Sequence, residues 1–327
     1  MPIRAVCLSA TLFILSLPST SQAQWGLEML GPLNGRQTVA AALNDRGDVV
    51  GHSWNADGVQ IPFLWTRKAG YLTFLGDVTG LATDINNRGE VVGVQLSTFA
   101  GFLWSEAGGL VNLGAGFWPT SINEAGVIAG SCDSVSAEDA GPCVWERGAL
   151  RSLHVPFGGS ALAVNEAATV VGNTFLPGTD REMPFVWGEN RGLQMLPVPS
   201  GTYFGLAEGI NNAGVAVGWS LMLPDDNGYR HQPLVWDRRG RIQQTLDVNG
   251  IAVGINNRGF VIGVSPALRF EDGRGFVWTR GGDLVFLPGG EANLPADING
   301  RGDVAGSIYT DGIWYAALWR NNVREQQ

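Results

Sequence analysis

The chain has 327 residues, a net charge of −9 and 47 glycines, with charged residues at 16% and hydrophobic residues at 45%. An acidic balance with few Lys and Arg excludes a dedicated nucleic-acid binder, which neutralises phosphates with clustered basic side chains. Glycine at about twice its usual share points first to disorder, but twelve Trp and fourteen Phe supply apolar surface for a core, so the glycines read as turns between short strands.

In chain order, residues 1–23 have the pattern of a secretory signal. Arg4 gives a positive start, Ala5 to Leu17 an apolar stretch too short to span a bilayer, and Ser21-Gln22-Ala23 a small-x-small cleavage site before Gln24. A buried first helix is the competing reading, and Pro18 with the polar residues after it disfavours that helix. Loss of Arg4 with the leader takes the net charge to −10. No later segment approaches the ~20 apolar residues of a membrane span. The expected product is a secreted or periplasmic soluble monomer in which residues 24–327 form one domain. Its remaining cysteines, Cys132 and Cys143, form an even pair that reads as a disulfide in an exported protein.

From residue 43 onward one motif is written seven times: Leu43-Asn44-Asp45-Arg46-Gly47, Ile85-Asn86-Asn87-Arg88-Gly89, Ile122-Asn123-Glu124-Ala125-Gly126, Val164-Asn165-Glu166-Ala167-Ala168, Ile210-Asn211-Asn212-Ala213-Gly214, Ile255-Asn256-Asn257-Arg258-Gly259 and Ile298-Asn299-Gly300-Arg301-Gly302. A second glycine follows each asparagine by seven positions, at Gly51, Gly93, Gly130, Gly172, Gly218, Gly263 and Gly306. A tryptophan closes each unit, with neighbouring tryptophans 39 to 49 positions apart. Asn-x-x-Gly is the chemistry of a tight hairpin: asparagine bonds its own backbone two residues on, and glycine accepts a positive φ. Ala168 breaks that pattern and should cost about 1 kcal/mol if its position is left-handed.

Each unit holds four short apolar runs between turns, termed a (ending in Ile-Asn), b (Val-Val-Gly), c (Phe-Leu-Trp) and d (Leu-x-x-Leu). A four-stranded meander repeated every ~42 residues predicts an all-β, seven-bladed β-propeller of antiparallel blades, since one small sheet cannot cover both its apolar faces alone. The chain enters on a d-type run, Leu27-Glu28-Met29-Leu30, and leaves on a c-type run, Ala317-Leu318-Trp319. The N-terminal strand is therefore expected to complete the last blade and close the ring; an open solenoid of the same hairpins is the alternative. Cys132 and Cys143 then face each other across the b–c hairpin of the third unit.

The recurring Ile-Asn-Asn-x-Gly-x-Val-x-Gly, followed by Phe-[Leu/Val]-Trp and Leu-x-x-Leu-Gly, resembles the HAF-repeat family of bacterial extracellular repeat proteins. The resemblance covers the mature chain. It departs at the His-Ala-Phe step that names the family, where this sequence has Ile61-Pro62-Phe63, Ala100-Gly101-Phe102 and Met183-Pro184-Phe185. The resemblance implies export and a repeat β fold, and it brings no catalytic residues.

Strand order sends the a–b and c–d turns to one face and the longer b–c and d–a loops to the other. The short-turn face collects arginines such as Arg46, Arg88 and Arg258, and the long-loop face collects acids such as Asp57, Asp180 and Asp311. Aromatics outside the repeat slots also fall on the long-loop side. An acidic, ring-bearing face suits sugars, whose C–H faces stack on rings while carboxylates accept hydroxyl hydrogen bonds, and it suits protein partners. The candidate contact residues are Trp54, Trp118, Tyr203, Asp225, Asp226, Tyr229, Arg230, His231, Tyr309 and Trp314, with Leu221 to Pro233 as the most polar insertion.

Three histidines at non-equivalent positions, with no ligand-spaced pairs, leave the usual zinc sites without ligands, and Asp225-Asp226-Asn227-Gly228 lacks EF-hand spacing. Neither a phosphate-binding loop nor Gly-x-Ser-x-Gly occurs, so no cofactor, metal or catalytic residue is assigned. The expected function is a binding module for a carbohydrate or protein ligand on the long-loop face. The alternatives are a polysaccharide-acting glycosidase or lyase on that face, and a structural surface protein without a specific ligand.

Overall fold

The computed structural model describes residues 25–31, 37–75, 78–133, 140–225, 228–265 and 272–322. The leader expected over 1–23 and the candidate Asp226 lie outside the described residues, as does the side chain of Asp225. Twenty-eight strands form seven four-stranded antiparallel sheets, and no α-helix occurs among the described residues.

Blade 1 contains β2 (Thr38–Leu43), β3 (Val49–Trp54), β4 (Gln60–Thr66) and β5 (Gly70–Phe74). Blade 2 contains β6 (Gly80–Ile85), β7 (Val91–Gln95), β8 (Ala100–Ser105) and β9 (Gly109–Ala115), and blade 3 β10 (Phe117–Ile122), β11 (Ile128–Cys132), β12 (Gly141–Glu146) and β13 (Ala149–Ser152). Blade 4 contains β14 (Ser160–Val164), β15 (Val170–Phe175), β16 (Glu182–Gly188) and β17 (Gly192–Met195). Blade 5 has the longest strands, β18 (Thr202–Ile210), β19 (Ala216–Asp225) and β20 (Gly228–Trp236), with β21 (Ile242–Thr245) outside them. Blade 6 contains β22 (Ile251–Ile255), β23 (Val261–Ser265), β24 (Arg274–Trp278) and β25 (Leu284–Phe286). Blade 7 contains β26 (Ala292–Ile298), β27 (Val304–Thr310) and β28 (Ile313–Asn321), and its outer strand is β1 (Trp25–Gly31), in the order β1-β28-β27-β26. Met29 pairs with Ala317 and Trp25 with Asn321, so the N-terminal strand closes the ring as the sequence predicts.

The apolar core lies between blades. Seven clusters of buried residues occur, one at each interface; the cluster between blades 7 and 1 joins Leu30, Ala305, Ala316 and Leu318 to Ala40, Leu43, Phe63 and Trp65. The last leucine of each d run is buried, from Leu30 and Leu75 round to Leu287. This is the physics of a repeat fold: each blade covers the face its neighbour cannot cover for itself.

The glycine seven positions after each asparagine sits in mid-strand b, not in a turn. In every blade strand a carries a bulge opposite it, as between Ala40 and Ala42 or Ala207 and Gly209. The bulge drives a backbone carbonyl against the facing residue, so a Cβ on Gly51 or Gly218 would stand 2.0 Å from the oxygen of Val39 or Leu206. On the other side of the same glycine lies the c-strand slot two before the tryptophan, with Gly51 opposite Phe63 and Gly172 opposite Phe185. The slot is Phe in four blades and Cys143, Leu234 or Ala317 in the others, so it is the bulged carbonyl that admits only glycine.

Candidate functional site

Seven copies of strand a surround a central channel, and the repeated asparagines knit its short-turn end. The Asn44 side-chain oxygen accepts N–H bonds from Arg46 and Asp48, both 3.0 Å, which fixes its own hairpin. Its Nδ2 donates to the backbone oxygen of Asn86 in the next blade. The same donation runs Asn86 to Asn123, Asn123 to Asn165, Asn165 to Asn211, Asn211 to Asn256, Asn256 to Asn299 and Asn299 back to Asn44, closing a ring of seven bonds. All seven asparagines are buried, so each satisfied amide avoids a desolvation cost of about 1–3 kcal/mol.

A second ring lies just outside. The side chain following each asparagine accepts the backbone N–H of the preceding blade: Asn87 from Asp45, Glu124 from Asn87, Glu166 from Glu124, Asn212 from Glu166, Asn257 from Asn212, and Asp45 from Gly300. It breaks between Asn257 and Gly300, because glycine has no side chain to accept with. Several arginines of this face are engaged. Arg46 pairs with Asp48, Arg88 with Glu90, Arg320 with Glu28, and Arg241 with Asp237, whose carboxyl is held down at about 2 by N–H donors from Arg241. The acids two residues beyond the turn arginines, Asp48 and Glu90, thus offset the positive face that the turn residues alone suggest.

Deeper in, the channel forms a mouth of about 320 Å³ and an inner chamber of about 190 Å³ that share Asp84, Ser121, Val164, Ile210, Ile255 and Asp297. Asp84 accepts from its neighbour Ile85 and across the blade boundary from Ile122, both at 2.8 Å. Asp297 accepts from Ile298 at 2.7 Å and across the closure from Leu43 at 3.0 Å. Burial, and then the proximity of Asp297, push the Asp84 carboxyl up to about 7; burial also raises Asp297. Glu208, on the bulge of β18, is raised by burial while the Trp219 indole N–H, 3.0 Å away, favours its charged form. Among the described residues, no three His, Cys, Asp or Glu side chains converge as metal ligands.

The residues singled out by sequence whose side chains are described lie on the long-loop face, spread over blades 1, 3, 5 and 7. Trp54 is half-buried edge-on to His52, with centroids 4.8 Å apart; burial lowers His52 to about 4. Trp118 lies 6.1 Å from Phe99 across the boundary of blades 2 and 3, and Tyr309 lies 5.2 Å from Trp314 across the β27–β28 hairpin. On blade 5, His231 packs 5.3 Å from Trp219, burial lowers its pKa, and its Nδ1 has no hydrogen-bond partner among the described residues. Arg230 lies 3.7 Å from Asp247, at the exposed rim. Tyr203 sits under the Arg181 guanidinium of blade 4, 5.9 Å from its centroid, and Arg181 also donates to the backbone oxygens of Tyr203 and Thr202. The Cys132–Cys143 disulfide pins the b–c hairpin of blade 3 on this same face, with Cα atoms 6.0 Å apart.

Two rings stand out beyond the sequence candidates. Phe99, in the β7–β8 turn, and Phe157, between blades 3 and 4, have left-handed backbones, with φ of 50° and 69°. Among the described residues they are also the most exposed aromatics, at 58% and 60%, followed by Tyr229 at 53%, Phe286 at 49% and Tyr203 at 43%. An exposed phenylalanine held in a strained conformation costs about 1 kcal/mol in backbone energy and covers no core. Phe99 and Phe157 lie in loops of blade 2 and between blades 3 and 4, and Tyr203 and Tyr229 lie near the starts of β18 and β20 in blade 5.

No family model and no curated protein sequence matches this chain. Among solved structures it is similar to a streptogramin B lyase, with a TM-score of 0.65 and 10% identity over 93% of this chain and 100% of that one. It is also similar to the virginiamycin B lyase of Staphylococcus aureus (TM-score 0.60, 11% identity, 90% and 99% of the two chains). An oligogalacturonate lyase in complex with manganese gives 0.58 at 11% identity, over 92% and 94%. Identities this low carry the propeller fold and none of the neighbours' chemistry.

The channel acids Asp84, Glu208 and Asp297 escape a reading based on motifs because each occurs once or twice where other repeats carry Ala, Ser, Gly, Leu, Val or Thr. Aligning the seven repeats and asking where an acid replaces a small residue just before Ile-Asn would have found them.

Proposed function

We propose that this is an exported HAF-repeat-type binding propeller that takes a carbohydrate chain across the loops of blades 2 to 5. The observation that carries the reading is the pair Phe99 and Phe157: both rings face solvent from left-handed backbone positions, a conformation filled in the b–c turns of blades 1 and 4 by Gly58 and Gly178. Tyr203 and Tyr229 add two exposed rings on blade 5, and the acids Asp180 and Glu182 lie in the loop between β15 and β16 and at the start of β16. Flat rings offer stacking area to pyranose faces at low entropic cost, and carboxylates accept sugar hydroxyls. The rigid ring beneath holds the loops in place before the ligand arrives, which lowers the ordering cost of binding. Secretion to the periplasm or beyond, after cleavage near Ala23, and a single Cys132–Cys143 disulfide in that oxidising compartment belong to the same proposal.

A glycan array on the mature protein, run beside a turnover screen on the same polysaccharides, tests it. Saturable binding without product supports the proposal. Product release from any bound polysaccharide replaces it with the enzymatic alternative, and retention of a protein partner with no glycan bound transfers the face to protein recognition.

A further inference from the structure

Strand a offers seven equivalent positions immediately before the Ile-Asn pair: Ala42, Asp84, Ser121, Ala163, Gly209, Gly254 and Asp297. Five are neutral and two are aspartates, and those two flank blade 1. Each carboxyl reaches across an interface to hold the backbone N–H that begins the neighbouring blade's Ile-Asn step, Asp84 to Ile122 and Asp297 to Leu43. Ser121 makes the equivalent bond to Val164 with a neutral hydroxyl, so the bridging role does not require a charge.

The surroundings supply no counter-charge. From β2 come Ala41 and Ala42, from β10 Thr120 and Ser121, from β14 Leu162 and Ala163, from β18 Glu208 and Gly209, from β22 Val253 and Gly254, and from β26 Ala296. The mouth adds Asp45, Glu124 and Glu166, and no Lys, Arg or His lines either chamber. Asp45 acts on Asp297 in the same sense as burial, disfavouring its ionised form. Two carboxylates lining one channel, with further acids at both ends, repel each other.

We propose that Asp84, bridging blades 2 and 3, and Asp297, bridging blades 7 and 1, form a pH-sensitive clamp on either side of the blade 1–2 pair, which tightens the ring when a proton is held in the channel and loosens the two bridged interfaces when both carboxyls ionise. The direction follows from linkage. A carboxyl whose folded-state pKa lies above the unfolded value of 3.8 makes the folded protein the better proton binder. Its contribution is fully present below about 4 and is lost as pH rises through about 7.

The test is the thermal midpoint of the mature protein, followed from about pH 5 to about pH 8.5, for the wild type, Asp84→Ser, Asp297→Ser and the exposed control Asp57→Asn. The wild type should lose roughly 5 °C or more across neutrality, either serine variant should flatten that fall, and the control should follow the wild type. Equal slopes in wild type and serine variants overturn the proposal. Should a serine variant not fold, infrared spectra of the wild type provide a second readout. A protonated carboxyl band that persists at neutral pH and disappears at higher pH supports the clamp, and a spectrum already fully ionised at neutral pH overturns it.

Discussion

The two ends of the channel are built on opposite terms. At the short-turn end the asparagine recurs in every blade, each buried asparagine amide is satisfied, and the bonds run from blade to blade until they close on themselves. At the long-loop end the residues do not repeat, two phenylalanines take left-handed backbones in solvent, and the histidines His52 and His231 have unpartnered ring nitrogens. Repetition marks what the fold needs, and strain without a packing return marks where to look for function.

That contrast can be broken most severely at the repeated end. Gly218→Ala places a methyl group 2.0 Å from the Leu206 oxygen and should cost at least about 3 kcal/mol or prevent folding, measured by urea unfolding. A loss within about 1 kcal/mol would show that the bulge is not rigid. Asn256→Ala strips the acceptor from Arg258 and Phe260 and the donor from the Asn299 oxygen, and should cost about 2–4 kcal/mol in the same assay. Replacing Cys132 and Cys143 together by serine should lower stability by about 2–3 kcal/mol, since the bridge closes a short loop. An unchanged denaturation midpoint under non-reducing conditions contradicts a formed bond.

Smaller changes sharpen the contrast by going the other way. Ala168 is the only non-glycine at its turn position and has φ of 53°, so Ala168→Gly should stabilise by about 1 kcal/mol. Phe157→Asn, which accepts the left-handed conformation more readily, should gain a few tenths to about 1 kcal/mol while weakening the ligand. A gain in stability together with a loss of binding is the signature expected of a residue kept for contact.

The repeated end was mostly legible in the sequence. Asn-x-x-Gly gave the turns, Leu27 to Leu30 gave the closing strand, and the positions of Cys132 and Cys143 relative to Gly130 and Trp145 gave the disulfide. The asparagine ring was not, because Asn44 bonds Asn86 across 42 positions and a local motif cannot show a partner in the next blade. The need for the mid-strand glycines was hidden for the same reason: the carbonyl that excludes a Cβ belongs to a bulge on another strand. At the variable end, composition showed that rings gather in the loops, but Trp54 half-buried beside His52 and Phe157 standing in solvent look alike as letters.

The most direct test of a functional long-loop face on an inert ring is a binding isotherm for the best array glycan. It would be measured on the wild type and on Phe99→Ala/Phe157→Ala/Tyr203→Ala/Tyr229→Ala, alongside the thermal midpoint. Loss of the four rings should weaken binding by at least about 100-fold with the midpoint held within a few degrees. Undiminished affinity in a folded variant would contradict the assignment of function to this face.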